Sequence, residues 1–218
     1  MARQSYRLQI YNDYRARIQR GEIGPDDRLV DTIIAAELGV SRMPVRDALM
    51  QLTHEGYLEG TTRGFALPSL SSRQVMDIFE LRRLLEPRAV ALATRGLTDD
   101  DIATLGRAVS EARSTVETND LGLFFKASET FRNTWLGAVP NAELRQTIQR
   151  YLAQVQTVRV ATMRDPETRD VIVAGQQDLY RTFQRRDTLA AHDRMLRFVM
   201  QAEASYAETL RQEPESAA

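Results

Sequence analysis

A short run, Leu38–Gly39–Val40–Ser41–Arg42–Met43–Pro44–Val45–Arg46, constrains the fold of this chain more than any other stretch. Before it, Ile33, Ile34 and Leu38 fall at helical spacing, and Gly39 supplies the stop that a tight helix–helix turn needs. Ser41 stands where the next helix is capped, and its hydroxyl is expected to accept a bond from an orphan N–H. Pro44 sits in the first turn, where its missing N–H costs little. Val45, Leu49 and Leu52 give that helix an apolar face, while Arg42 and Arg46, four apart, share another face near its start. A short helix, a glycine turn and a second helix led by paired arginines is a helix-turn-helix arrangement, whose second helix enters the DNA major groove. On the turn alone, an ordinary helical hairpin with solvated arginines fits equally well.

The next residues favour the first reading. Glu55–Gly56–Tyr57–Leu58–Glu59 ends the helix and begins an extended segment, Thr61–Thr62–Arg63–Gly64 makes a turn, and Phe65–Ala66–Leu67 returns. Such a hairpin is a wing, able to set Arg63 against the phosphate backbone or in the minor groove.

With 218 residues, 43% of them apolar, the chain can build one large domain or two small ones. No apolar run approaches the roughly 20 residues that span a membrane. Met1-Ala2-Arg3-Gln4-Ser5 lacks the apolar core of a signal peptide, so a cytoplasmic protein without membrane association is expected. The absence of cysteine excludes disulfides, thiol catalysis and thiolate metal sites. Net charge is −1, and residues 1–70 carry nine arginines against nine acids. No broad positive field draws this chain to DNA, so any affinity must come from local arrangement, with the acids turned away from the contact face. Lys126 is the sole lysine; every other cation is arginine, the better bidentate partner for phosphate and guanine.

Taken in order, residues 4–20 read as a first helix with Leu8, Tyr11, Tyr14 and Ile18 as its buried stripe and Arg7, Arg15, Arg17 and Arg20 off it. Gly21 to Asp27 is a loop, and Arg28–Leu29–Val30 is read as a further short strand. The winged helix-turn-helix is assigned to residues 1–68 and a linker to 69–72; a helical domain follows over 73–212, with a frayed tail at 213–218. Ser71 with Gln74 forms a capping box opening a helix to about Arg95, with Pro87 inside it as an expected kink. Gly96 ends it, and Thr98 with Asp101 caps another to about Glu117. Asp120 to Gly137 is a third, and Asn141 caps a long fourth reaching about Met163. Two more run from about Pro166 to Arg186 and from about Thr188 to Arg211. The expected fold is therefore mainly α: an N-terminal winged helix-turn-helix followed by an antiparallel all-α bundle of six to seven helices.

These motifs resemble the GntR family of bacterial transcription regulators, in the FadR-like branch with a helical FCD effector domain, over nearly the whole chain. The DNA-binding part is similar through Gly21–Glu22–Ile23, Arg28–Leu29, Leu38 to Leu49, Leu52, Glu55–Gly56 and Arg63–Gly64. The effector part is similar through Leu81–Arg82–Arg83–Leu84–Leu85–Glu86–Pro87 and Gly137–Ala138–Val139–Pro140–Asn141, with Asp187 and Ala191 near the end. The resemblance implies a homodimer on a two-fold operator, repressing until a small metabolite binds. It also implies that Arg42 and Arg46 read bases while Thr32, Ser41 and Arg63 hold phosphates or the groove edge. Met43 and Gly64 belong to the same DNA-facing set.

The bundle helices carry polar residues on stripes that should be apolar. Arg82 interrupts Val75, Ile78, Leu85, Ala89 and Leu92; Ser128 and Arg132 interrupt Leu121, Phe124 and Trp135; Gln176 interrupts Ile172, Leu179 and Phe183. An uncompensated buried charge costs about 3–5 kcal/mol, so these groups either pair internally, with Glu86, Glu129 or Asp178, or line a ligand cavity. Many relatives bind a divalent metal there through one Asp and three His, at positions that correspond to Ser128, Arg132, Gln176 and Phe198. None of these is the expected ligand, the only histidines are His54 and His192, and a guanidinium repels a cation. No metal or other cofactor is expected. The effector is instead read as a small anion, a carboxylate gripped by Arg132 with Arg82, Ser128 or Gln176 and closed over by Trp135, Tyr180 and Phe198. An effector-independent DNA-binding regulator is the main alternative. An all-α enzyme with a winged-helix module is the weaker one, since the chain has no P-loop, no dinucleotide fingerprint and no evident nucleophile–base pair.

Overall fold

The computed structural model describes residues 2–212; the expected tail at 213–218 lies outside the described residues. In chain order the elements are α1 (Ala2–Gln19), α2 (Asp31–Leu38), α3 (Arg42–His54), β1 (Glu59–Thr61), β2 (Gly64–Ala66), α4 (Ser72–Gly96), α5 (Asp99–Thr118), α6 (Leu121–Gly137), α7 (Ala142–Gln154), α8 (Gln156–Thr162), α9 (Pro166–Gln184) and α10 (Thr188–Gln212). They form two compact units. The first comprises the chain up to Ser71 together with Gln149–Val160; the second holds Ser72–Ile148 and the chain from Ala161 onward.

In the first unit, Ile10, Tyr11, Tyr14 and Ile18 of α1 join Ile34, Val45, Leu49 and Leu52 in one core. The expected stripe on α1 is off by one member, because Leu8 is exposed and Ile10 takes its place. On a helical wheel Ile10 lies nearer the line through Tyr14 and Ile18 than Leu8 does. Ile33 and Leu38 are likewise exposed: α2 has only two turns and buries Ile34 and Ala35. Gly39 ends α2 in the left-handed region at φ 64°, as the turn demands.

Ser41 occupies the N-cap of α3 with extended backbone, but its side chain makes no capping bond, contrary to expectation. Pro44 supplies the reason. It stands three residues after Ser41, at the N3 position, and lacks an N–H that an N-cap side chain would take.

The wing forms as read. β1 and β2 pair antiparallel, Glu59 opposite Ala66 and Thr61 opposite Gly64, and Leu29 adds a third rung by exchanging two backbone hydrogen bonds with Phe65 at 2.8 and 2.9 Å. Gly64 makes this possible: its φ is +119°, and a Cβ there would lie 2.5 Å from the Leu29 carbonyl oxygen.

The helix expected to run from Asn141 to about Met163 is two helices, α7 and α8, separated at Val155. The bonds Val155 N–H to Tyr151 O and Arg159 N–H to Val155 O persist, so the interruption is one residue deep. Beyond it, the buried Gln156 amide donates to the Gln19 carbonyl at 3.0 Å, satisfying an orphan acceptor at the end of α1. Val160 packs where a side chain on Gly21 would stand. Nothing in the periodicity of 142–163 distinguishes this tertiary bond from a continuous helix.

The second unit is helical throughout. Thr98 and Asp101 exchange both bonds of a capping box, Asp120 accepts from Leu123 N–H, and Asp165 accepts from Thr168 N–H at 2.8 Å with Pro166 at the first helical position. The Thr168 backbone bond holds the Asp165 carboxyl below its usual range. α4 continues through Pro87 to Gly96. Phe124, Phe131, Leu105, Leu179, Phe183 and Met195 are fully buried. Two close approaches knit the helices: the Tyr180 ring lies against Gly106 of α5, and the Phe198 ring against Gly175 of α9. Among the described residues, seven helices follow the wing.

Candidate functional site: the nucleic-acid interface and the buried polar positions

α3 is two-faced. Pro44, Val45, Ala48, Leu49 and Leu52 are buried, whereas Ser41, Arg42, Met43, Arg46, Asp47 and Met50 are exposed. Four members of the expected DNA-facing set, Ser41, Arg42, Met43 and Arg46, thus share one solvent face at the start of one helix. Thr32 is exposed on the first turn of α2, and Arg63 is exposed at the tip of the hairpin, its N–H bonded to Thr61 Oγ1 at 3.2 Å. What the geometry shows of Gly64 is its place against Leu29, which sets the wing.

The two arginines differ. Arg42 Nε donates to Asp31 Oδ2 at 2.9 Å, whereas Arg46 makes no ion pair among the described residues. The acids are only partly turned away from this face. Glu22 bonds to Arg20, Asp27 to the Gly24 N–H, and Glu55 to Tyr11 and Gln51, but Asp47 is exposed on α3 itself. Three arginines of α1 are engaged within the unit: Arg7 donates to Gln51, Arg15 to Tyr57, and Arg17 stacks on Tyr14. Burial, and then the bond to Glu55, raises the Tyr11 phenol well above its ordinary value, so it remains the donor in that pair and fixes α1 to the end of α3. The pattern of residues gave no sign of Asp31; its only signal was an acid at the first position of a helix.

In the second unit, Arg82 finds one of the acids weighed for it. Its Nε donates to Glu86 at 2.8 Å, one helical turn on, and its guanidinium covers the Phe79 ring at 5.0 Å. Asp178 pairs with Arg181 and Arg194 on the surface, and Glu129 bonds to Asn133. Arg132 is half-buried on α6, and Trp135, one turn on, is buried. Ser128 and Gln176 are 3% and 4% exposed, and Ser128 Oγ and Gln176 Oε1 have no hydrogen-bond partner. The helices that carry them share a core: Phe124 and Ala127 of α6 cluster with Ile172 and Val173 of α9, and Phe198 packs against that cluster. Tyr180 is half-buried across Gly106, its hydroxyl accepting from Gln184. Among the described residues no group of three or more His, Asp or Glu is placed to hold a metal ion.

A glycine-turned helix pair, an arginine-led second helix and a three-rung wing define a winged-helix DNA-binding unit, here followed by an all-helical unit. Residues 7–64 match the gntR family of bacterial regulatory proteins, and residues 77–201 match the FCD domain. The chain belongs to the GntR family, in the branch with an FCD domain. It is 35% identical over 136 residues to the Nta operon transcriptional regulator of Aminobacter aminovorans and 33% identical over 129 residues to the regulator McbR of Escherichia coli. Those alignments cover 62% and 59% of this chain and 64% and 58% of the relatives, so the chain spans about three-fifths of their length. The repressor RspR of Escherichia coli is 25% identical over 82% of this chain and 79% of its own. The solved structure of E. coli McbR superposes with a TM-score of 0.80, at 24% identity, over 94% of this chain and 98% of that one, which shows the shared fold. The named relatives are transcription regulators, not enzymes.

Proposed function

We propose that this protein is a transcription repressor that binds a two-fold operator as a homodimer and leaves it when a small anionic metabolite enters the helical unit. The operator contacts fall to Arg42 and Arg46 for bases, and to Thr32, Ser41 and Arg63 for phosphates. The observation that carries effector control is the pair of buried, partnerless oxygens, Ser128 Oγ and Gln176 Oε1. Each such atom costs about 1–3 kcal/mol, a burden that a bound ligand with hydrogen-bonding groups would relieve. Arg132, half-buried on α6 one turn before the buried Trp135, is the residue assigned to the effector's carboxylate, with Trp135, Tyr180 and Phe198 enclosing its carbon skeleton. No metal is assigned. Among the described residues no helix is long and apolar enough to cross a membrane, and a cytoplasmic location accords with a DNA target.

Thermal-shift screening against small carboxylates tests this reading. A true effector at about 100 times its Kd stabilises the native state by about 2.7 kcal/mol, a rise of about 5–10 °C in a chain of this size. Arg132→Ala is expected to lose that rise while melting normally without ligand. Equal shifts in both proteins would remove Arg132 from the site.

A further inference from the structure

Asp31 opens α2 and is 7% exposed, yet its carboxylate is turned to a side chain on the other helix of the motif, Arg42, whose own side chain is 54% exposed. The contact is made through Nε at 2.9 Å. A guanidinium has five N–H groups in a rigid fork; with Nε engaged, the edge that remains for a guanine O6/N7 pair is the one formed by the two terminal nitrogens. Arg42 is therefore anchored behind and free in front. Its neighbour on the same face, Arg46, has no such anchor among the described residues.

We propose that Asp31 is a positioning residue for base recognition. It orients Arg42 before DNA arrives, so less side-chain freedom is lost on binding. Its charge also lies close to the surface that meets phosphate, where it weakens attachment to any sequence. The first effect favours the operator alone and the second weakens attachment to operator and non-specific DNA alike, which is how an acid raises discrimination without raising affinity for DNA in general. This rests on the reading that Arg42 contacts a base.

Selection of duplexes from a random pool by the full chain, at one salt concentration, supplies the probe. Wild type is compared with Arg42→Ala, Arg46→Ala and Asp31→Asn. Asp31→Asn is expected to lose about tenfold in discrimination at the base position that Arg42→Ala flattens. The position lost in Arg46→Ala is expected to stay sharp, and affinity for unselected DNA to hold or rise. Asp31→Asn added to Arg42→Ala should flatten no further base position, and Asp31→Glu should restore part of the preference. A helix-stabilising role alone would show as a lowered melting temperature and an even loss at all positions. That outcome, an unchanged profile, or additive losses of base discrimination in the double variant would each overturn the proposal. If Arg42→Ala itself keeps the wild-type profile, the base-reading assignment fails while DNA binding by the protein stands. Should Asp31→Asn not fold, Asp31→Ser, which keeps an oxygen at the helix start, carries the same comparison.

Discussion

Arg46→Ala is expected to abolish operator preference and leave both units folded. Arg46 is exposed on α3 and makes no ion pair among the described residues, so its removal breaks none there; a surface change of this kind alters stability by about 0.5 kcal/mol or less. On the proposed reading its value lies in the groove. A good bidentate contact to a base is worth about 1–3 kcal/mol in discrimination, and a dimer on a two-fold site makes it twice, for about 2–6 kcal/mol in all. Residues 1–70, with nine arginines against nine acids, make that share larger, because no wide basic field stands behind the helix. A gel-shift titration on operator and on scrambled duplex reads both numbers. Unchanged affinity and specificity would remove Arg46 from the base-reading set.

Gly64→Ala is expected to disable DNA binding by a different route. At φ +119° a side chain is strained by about 1–3 kcal/mol, and its Cβ would stand 2.5 Å from the Leu29 carbonyl. To make room, Leu29 must move, which breaks its two bonds to Phe65 at about 0.5–1.5 kcal/mol each. The sum, about 2–6 kcal/mol, is a large part of the 5–15 kcal/mol by which domains are usually stable. Arg63, at the tip, loses its platform. Trp135, the only tryptophan, lies in the second unit, so its fluorescence should melt as in wild type while operator binding falls sharply. Wild-type binding by Gly64→Ala would show that the wing tolerates displacement.

Local chemistry made the first unit legible. Gly39 stops α2, the Thr61–Gly64 turn joins β1 to β2, and both follow from backbone preferences of single residues. The caps at Thr98, Asp120 and Asn141 are equally local. Where two local rules meet, the reading failed: Ser41 is a good cap until Pro44 removes the N–H it needs. Tertiary bonds were not legible. The break between α7 and α8 accompanies a bond from Gln156 to Gln19, far off in sequence, and the anchor of Arg42 is an acid on another helix. In the second unit, the stripes showed which polar side chains face inward. They did not show that Arg82 has Glu86 as a partner while Ser128 and Gln176 keep unpaired oxygens, because pairing depends on rotamers and on neighbouring helices.

Effector-controlled binding to a two-fold operator is tested most directly by a footprint of the promoter beside the protein's own gene, taken with and without the carboxylate that raises the melting temperature. The expected result is a protected site of two-fold symmetry that is lost when that carboxylate is added, and kept under the same addition by Arg132→Ala. Protection that lacks two-fold symmetry, or that every such carboxylate leaves intact in the wild-type protein, would contradict it.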